Sequence, residues 1–192
     1  MATEQIDDLI DVLQNEAKRV LSVGRYEHSK RVAETSAHLC KIHGLCEKKG
    51  FLAGISHDIC KEIDENEMRR LALLDGRNES DLEKSKPCLL HGRAAATVLK
   101  QKFNVNDKDI LDAVAFHTFG AVNLCDLGKI VFVADKIEPG RPQSTEEYRK
   151  NLYAMNLDEM TLCVLKENRE YLEKKGKVAA PESIAWEKSL SR

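Results

Sequence analysis

Six side chains of two types, imidazole and carboxylate, stand in sequence contexts that favour burial and could together bind a divalent metal ion. Asp58 and Asp135 both have mainly apolar neighbours. Because a buried carboxylate without a partner is costly, a cation would offset that cost. Imidazole and carboxylate donors suit iron, manganese, zinc or cobalt, and the absence of thiolate argues against a closed structural zinc site. The pattern predicts an open metal centre formed by His28, His57, Asp58, His91, His117 and Asp135.

The adjacent pair His57 and Asp58 could serve two metal ions. Successive residues of a helix point about 100° apart, so His57 can bind one ion while the carboxylate of Asp58 reaches the same ion or bridges to another. Two divalent ions facing two aspartates would leave a positive pocket that attracts phosphate and acidifies a bound water. The pattern therefore predicts a hydroxide nucleophile at neutral pH.

Two cationic residues near this centre are candidate phosphate ligands. Lys61 lies three residues after Asp58, and Arg141 lies just beyond the segment that contains Asp135. Lysine and arginine bind phosphate oxygens through charge-assisted hydrogen bonds. Both side chains could therefore hold a substrate phosphate.

A second group of histidines and cysteines lies between residues 38 and 46. His38, Cys40, His43 and Cys46 are zinc ligands by type, but their spacing matches no common zinc finger. We therefore interpret them as incidental residues near a helix end and leave them out of the predicted site.

The side chains of the predicted centre lie on separate helical segments. Apolar residues recur at steps of three and four residues, which is the period of an amphipathic helix. This pattern covers residues 6–21, 28–42, 51–60, 91–103, 107–117, 124–137, 157–175 and 181–190. Because neither an alternating strand pattern nor an internal repeat is found, the predicted fold class is all-α, a compact helical bundle. Segment 51–60 is apolar on nearly every side, so His57 and Asp58 should lie in the core.

The chain length favours one domain. We expect a single domain over residues 1–192, with a core at about 20–140 and C-terminal helices at 157–190 packed on it. The polar stretch 75–87 is typical of a surface connection with at most a short helix. Residues 139–142 contain two prolines that should break the chain after Asp135 and leave Arg141 in a loop.

Composition narrows the choice of partners and compartment. The formal charge is −2 and basic residues are interleaved with acidic ones, so nucleic acid is not an expected partner. No apolar run approaches the ~20 residues that span a bilayer. The first residues are acidic and lack a basic and apolar leader, so we expect a cytoplasmic protein whose six cysteines stay reduced.

Several local strings occur in a characteristic order along the chain. They are Arg25-Tyr-Glu-His28, His57-Asp-Ile-Cys-Lys61, Leu90-His-Gly92, His117-Thr-Phe-Gly120 and Ala134-Asp-Lys-Ile-Glu-Pro-Gly-Arg141. Their order resembles the HD-domain phosphohydrolase superfamily and, within it, the YqeK family of symmetrical bis(5′-nucleosyl)-tetraphosphatases. The likeness runs from about Ile6 to Trp186.

The resemblance implies an HD-domain bundle that hydrolyses diadenosine tetraphosphate to two ADP in a bacterial cytoplasm, as a homodimer. It implies iron as the cofactor, as one or two ions, with manganese, cobalt or zinc as alternatives. The first ion would be held by His28, His57, Asp58 and Asp135. His91 and His117 would either bind a second ion or contact the phosphates.

The resemblance also implies substrate contacts and catalytic roles. Phosphate oxygens would be bound by Arg25, Lys61, Thr118 and Arg141, beside the substrate-facing side chains of His28, His91, His117 and Asp135. The nucleoside would lie near Val178, Ala179, Ala180, Pro181, Glu182 and Ser183. The predicted catalytic residues are Asp58, Lys61, His91 and His117. The reaction we expect is in-line attack of metal-bound hydroxide on a phosphorus, with the metal and Lys61 or Arg141 neutralising charge on the phosphate. This stabilisation is expected to matter more than a strong general acid, although a protonated His91 or His117 could assist the departure of ADP.

Two other functions are compatible with the same ligands. One is the hydrolysis of another nucleotide, such as a dNTP, an alarmone or a cyclic dinucleotide. The other is a non-catalytic, metal-dependent nucleotide sensor. A panel of nucleotides distinguishes the first alternative through its products, and tight nucleotide binding without product release would indicate the second.

Overall fold

A computed structural model describes residues 3–191 of the chain, with side chains described from Ile6 onward. The described residues form α-helices and one short 3-10 helix, Pro87–Leu90, and contain no strand, which confirms the all-α prediction. The α-helices are α1 Thr3–Val20, α2 Val23–Ile42, α3 Glu47–Ser56, α4 Glu65–Leu73, α5 Asp81–Ser85, α6 His91–Lys102, α7 Lys108–Phe116, α8 Asp126–Ile137, α9 Glu146–Tyr153, α10 Leu157–Lys174 and α11 Pro181–Leu190. None of these helices is long and apolar enough to cross a membrane.

Helix α3 lies at the centre of the bundle, in contact with α1, α2, α7 and α8. Its residues Leu52, Ala53 and Ile55 have no exposed surface. A helix that is apolar on all sides is stable only when other helices surround it. Its C-terminal end therefore lies deep in the core, and the residues that follow it are buried as well.

The structure corrects the predicted end of α3. Segment 51–60 was expected to be one helix, but α3 ends at Ser56 and a turn follows. In that turn, Ile59 N donates to Ser56 O and Lys61 N donates to Asp58 O, which replaces the helical pattern of bonds to the fourth preceding residue. His57 therefore forms the C-cap of α3, and Asp58 lies in the tighter turn that follows it.

Two helices, α4 and α9, were not predicted. Both are short and bury few apolar side chains: Met68, Leu71 and Ala72 in α4, and Leu152 in α9. Their N-caps stabilise them, since Asp64 accepts from two backbone amides of α4 and Thr145 accepts from Tyr148 N. An apolar pattern of one or two turns is too short to be distinguished from a loop.

The C-terminal helices pack on α8. Helix α10 contacts α8, and α11 contacts α10. Trp186 of α11 is 1% exposed and packs edge-on against Phe132 of α8, with ring centroids 4.9 Å apart. Its indole also covers Gly120, which has a φ of +71° and whose Cβ, if present, would lie 1.9 Å from the ring.

Replacing Gly120 by alanine should destabilise the fold much more than the same change at Gly44. Both glycines have a φ near +70°, but a Cβ at Gly44 would meet no atom within 4 Å. The left-handed conformation costs an alanine about 1–2 kcal/mol, and the clash with Trp186 should add about 1–3 kcal/mol at position 120. Urea unfolding of both variants measures the difference. Equal losses of unfolding free energy would contradict the contact between Gly120 and Trp186.

Candidate metal centre

Five segments of the bundle bring the six predicted ligands together. His28 lies on α2, the pair His57 and Asp58 follows α3, His91 begins α6, His117 follows α7, and Asp135 lies on α8. His57 has no exposed surface, and Asp58, His91 and His117 are each 2% exposed. Polar side chains buried to this degree require hydrogen-bond partners, and buried charges require an opposite charge or a metal ion.

Three of the imidazoles are oriented by backbone carbonyls. Nδ1 of His57 lies 2.6 Å from Gly54 O, Nδ1 of His91 lies 2.7 Å from Cys88 O, and Nδ1 of His117 lies 2.7 Å from Val114 O. A carbonyl oxygen can only accept a hydrogen bond, so each Nδ1 is the donor. In a neutral ring this leaves Nε2 with a free lone pair directed into the centre.

The first group of donor atoms consists of His28 Nε2, His57 Nε2 and oxygens of Asp58 and Asp135. His28 Nε2 lies 3.1 Å from Asp135 Oδ1 and 3.9 Å from Asp58 Oδ2, and His57 Nε2 lies 3.5 Å from Asp58 Oδ2. Ligands bound to one ion at about 2.1 Å are separated by roughly 3–3.5 Å, so these spacings are close to those of a coordination sphere. Both Nε2 atoms are buried and form no hydrogen bond with the described residues. The group therefore fits a divalent cation.

The second group consists of His91 Nε2, His117 Nε2 and the other oxygen of Asp58. The two Nε2 atoms are 2.9 Å apart, and Asp58 Oδ1 lies 3.0 Å from the first and 3.7 Å from the second. All three atoms carry lone pairs when the imidazoles are neutral, so they repel one another unless a proton or a metal ion lies between them. Asp58 thus joins two clusters, each of which could hold an ion.

The protonation states of the centre favour metal binding. Burial lowers the pKa of His57 to about 4 and also lowers the pKa of His117, so both imidazoles are neutral at pH 7. Burial alone would raise the pKa of Asp58. That pKa is nevertheless well below its usual value, because His57 is protonated at the acid pH where this carboxyl titrates and because His117 and His91 form hydrogen bonds with it there. The pKa of Asp135 is likewise low because Lys136 and other cationic or donor groups outweigh burial. The centre therefore presents anionic carboxylates beside the neutral imidazoles of His57 and His117.

Four predicted phosphate ligands surround the two clusters. Arg25 donates to Asp58 Oδ2 at 2.9 Å, and Arg141 donates to Asp135 Oδ1 at 2.6 Å. Lys61 Nζ lies 3.2 Å from both ring nitrogens of His91, and Thr118 Oγ1 lies 3.5 Å from His91 Nε2. The structure thus brings these four side chains to the same centre as the six candidate ligands.

A cavity of about 310 Å³ opens beside the first cluster. Arg25, Arg31 and Arg141 line it, together with the carboxylate residues Glu62 and Glu138. About one third of each arginine side chain is exposed, 32%, 34% and 35% respectively. Three guanidinium groups around one cavity favour a polyanionic ligand such as a chain of phosphates.

The segment predicted to lie near the nucleoside is tied to the centre at one end. Ser183 Oγ donates to Phe119 O at 2.7 Å, two residues after His117. Ala179 and Ala180 are buried, whereas Val178 is 84% exposed. Segment 178–183 therefore borders the loop that follows His117, and its contact with a nucleoside stays a prediction.

The rejected group of histidines and cysteines does not form a metal cluster among the described residues. His38 packs instead against the ring of Tyr153, with centroids 5.0 Å apart. Burial raises the pKa of Cys40 to about 12, so its thiol is protonated and is a poor metal ligand.

Sequence reasoning missed three residues that hold the ligands in place. Glu138 accepts hydrogen bonds from His28 and Arg31, and Lys136 donates to Asp135 and to His117 O. Glu138 and Lys136 both belong to the string around Asp135, but nothing in that string alone indicates that their side chains turn toward the centre. Arg31 follows His28 by three residues, and this spacing places the two side chains on one helix face. The sequence alone could therefore have indicated that Arg31 lies near the centre.

Comparison with known proteins finds one matching family and relatives that share one name. Residues 25–140 match the family described as HD domain. A protein of Halalkalibacterium halodurans named symmetrical bis(5'-nucleosyl)-tetraphosphatase is 33% identical over 165 residues, which cover 86% of this chain and 88% of the relative. A protein of Bacillus subtilis with the same name is 31% identical and covers 87% of this chain and 89% of its own length.

A solved structure is also similar over nearly the whole chain. It comes from Clostridium acetobutylicum and is described as a predicted HD superfamily hydrolase involved in NAD metabolism. The TM-score is 0.86 at 27% sequence identity, and the match covers 94% of this chain and 96% of that protein. The two proteins therefore share the helical architecture described above.

Proposed function

Because this chain belongs to the HD domain family and, within it, to the symmetrical bis(5′-nucleosyl)-tetraphosphatases, we propose that it hydrolyses diadenosine tetraphosphate to two ADP. The observation that carries the proposal is the pair of donor clusters that share Asp58 beside a cavity lined by arginines. Such a site combines metal ligands with groups that bind a phosphate chain.

In this proposal, His28, His57, Asp58 and Asp135 hold one divalent ion, and Asp58, His91 and His117 hold a second. Ions bound there would act as Lewis acids toward phosphate and would lower the pKa of a bound water. The convergence of two imidazole nitrogens and a carboxylate oxygen within 3.7 Å supports the second ion over a direct phosphate contact. Iron is the proposed metal, and manganese, cobalt and zinc suit the same nitrogen and oxygen donors.

The cationic side chains bind and orient the tetraphosphate. Arg25, Arg31 and Arg141 face the cavity beside the first cluster, while Lys61 and Thr118 lie beside the second. A tetraphosphate chain that crosses from the arginine cavity to Lys61 would place its central phosphates next to Asp58. This arrangement favours cleavage at the middle of the chain, which gives two equal products.

Charge stabilisation contributes more to this reaction than proton donation. ADP is a good leaving group, so a strong general acid is not required. Lys61 and Arg141 neutralise charge that develops on the phosphate oxygens. The loop after His117 and segment 178–183 provide the proposed border for one nucleoside.

We further propose that residues 1–192 act as a single HD domain. The packing of α10 on α8, and of Trp186 on Phe132, supports a C-terminal region that belongs to the same core. Action as a cytoplasmic homodimer stays a prediction from the family resemblance.

Metal analysis of freshly purified protein, followed by chromatography of the products from diadenosine tetraphosphate, tests the proposed function. We expect bound iron or manganese and two ADP for each substrate consumed. AMP with ATP in equal amounts would contradict symmetrical cleavage. No turnover in the presence of tightly bound metal and nucleotide would instead indicate a sensor, and preferential turnover of a dNTP, an alarmone or a cyclic dinucleotide would indicate another hydrolase.

A further inference from the structure

His28 differs from the other three imidazoles in how its ring is oriented. His57, His91 and His117 each follow the last turn of a helix, where backbone carbonyls lack a helical partner and can accept from Nδ1. His28 is the sixth residue of α2, where the preceding carbonyls already accept helical hydrogen bonds. Its Nδ1 therefore needs a side-chain acceptor.

That acceptor is Glu138, which follows the last residue of α8. Its Oε1 lies 3.1 Å from His28 Nδ1, and the residue is 1% exposed. A neutral imidazole with Nδ1 as donor has its lone pair on Nε2, which is the atom that faces Asp135 and Asp58. The carboxylate thus determines both the tautomer and the direction of the His28 ring.

The carboxylate of Glu138 is itself held from several sides. Arg31 donates to both of its oxygens, and Gly140 N donates to Oε2. A Cβ at Gly140 would lie 2.5 Å from the guanidinium of Arg31. The absence of a side chain at position 140 therefore allows this guanidinium to pack against the backbone there. Burial alone would raise the pKa of Glu138, but the hydrogen bonds from Arg31 and His28 keep it below its usual value.

We infer that Glu138 is a positioning residue for the first metal ion, acting through His28, and that Arg31 fixes Glu138 in turn. The inference rests on the proposed function only in that the first cluster binds a divalent ion. A carboxylate that accepts from the far nitrogen of a ligating histidine fixes its ring and raises its basicity. Glu138 does this for the one ligating imidazole that the backbone cannot orient.

The segment Glu138–Arg141 contacts two ligands of the first cluster, Asp135 and His28. Arg141 donates to the backbone and side-chain oxygens of Asp135, while Glu138 holds His28 from the opposite helix. Because α2 and α8 each supply one ligand, this segment fixes the distance between the two helices at the metal. A change at Glu138 should therefore affect metal affinity more than overall stability.

Glu138→Gln and Glu138→Ala test this role through metal affinity, measured by competition with a manganese-binding or zinc-binding chelator in the absence of nucleotide. We expect affinity for the first ion, which His28 helps to hold, to fall about 10- to 100-fold in both variants. Glutamine retains one acceptor oxygen but places an amide donor toward Arg31 or Gly140. The loss of metal affinity should therefore be smaller in Glu138→Gln than in Glu138→Ala. Circular dichroism verifies that the helices remain in the variants that are compared.

The matched control is Glu83→Gln. Glu83 is also a buried carboxylate, 6% exposed, and it also pairs with an arginine, Arg93, but it lies outside the metal centre. Its variant should lose stability and keep wild-type metal affinity. If folded Glu138→Gln binds the metal as tightly as the wild type, or no less tightly than Glu83→Gln, the positioning role is wrong. If the wild type itself binds no divalent ion, the proposed function fails as well, so the two failures are distinguishable.

Discussion

Replacement of Asp58 by alanine should abolish metal retention and reduce the hydrolysis of diadenosine tetraphosphate by at least about 1000-fold. Changes to groups that only support a metal ligand cost about 10- to 100-fold in affinity or activity. Asp58 supplies one oxygen to each of the two donor clusters, so its loss should affect both proposed ions at once. It would also leave Arg25 without its carboxylate partner at the edge of the cavity. Metal content per chain and initial rates of ADP formation measure the two effects.

Asp64→Ala provides the comparison for this variant. Asp64 is the N-cap of α4, which carries none of the candidate ligands, and its removal should cost about 0.5–2 kcal/mol of unfolding free energy. Metal content and activity should stay at wild-type values in that variant. Substantial turnover by folded Asp58→Ala protein would contradict a metal centre bridged by this residue.

Much of the centre could be predicted because its residues have unusual contexts. Asp58 and Asp135 each stand beside long apolar stretches, and an acidic residue in such a stretch requires a compensating charge. The regular apolar period of α2, α6, α7 and α8 also indicated that the candidate ligands come from separate helical segments. In the structure, His28, His91 and Asp135 lie on different helices, whereas His57 and His117 directly follow the ends of α3 and α7.

The remaining features depend on tertiary contacts that local patterns do not encode. The turn after α3 could not be distinguished from helix because Ile59 and Cys60 continue the apolar pattern and neither glycine nor proline occurs in residues 57–60. The role of Glu138 depends on the packing of α8 against α2, which brings residues 28 and 138 together across 110 positions. Lys61 and Arg141 were candidates because of their positions beside Asp58 and Asp135. Arg25 and Thr118 were assigned from family resemblance, since single charged or polar residues carry little information on their own.

Replacement of His117 by alanine should remove the second ion and leave the first. His117 contributes to the cluster with His91 and Asp58 and takes no part in the cluster that contains His28. We therefore expect the metal content at saturation to fall from two ions per chain to one. The rate of ADP formation should fall by at least about 100-fold, since a ligand should matter more than the groups that support it. Equilibrium titration with manganese measures the stoichiometry without loss of a weakly bound ion.

His38→Ala is the matched control, because His38 packs against Tyr153 and belongs to neither donor cluster. That variant should bind two ions and retain activity. If His117→Ala still binds two ions but is inactive, His117 contacts the phosphates directly, and the proposed second ion needs other ligands. The convergence of His91 Nε2 and His117 Nε2 at 2.9 Å argues against that result, because two lone pairs at this distance require a shared cation or proton.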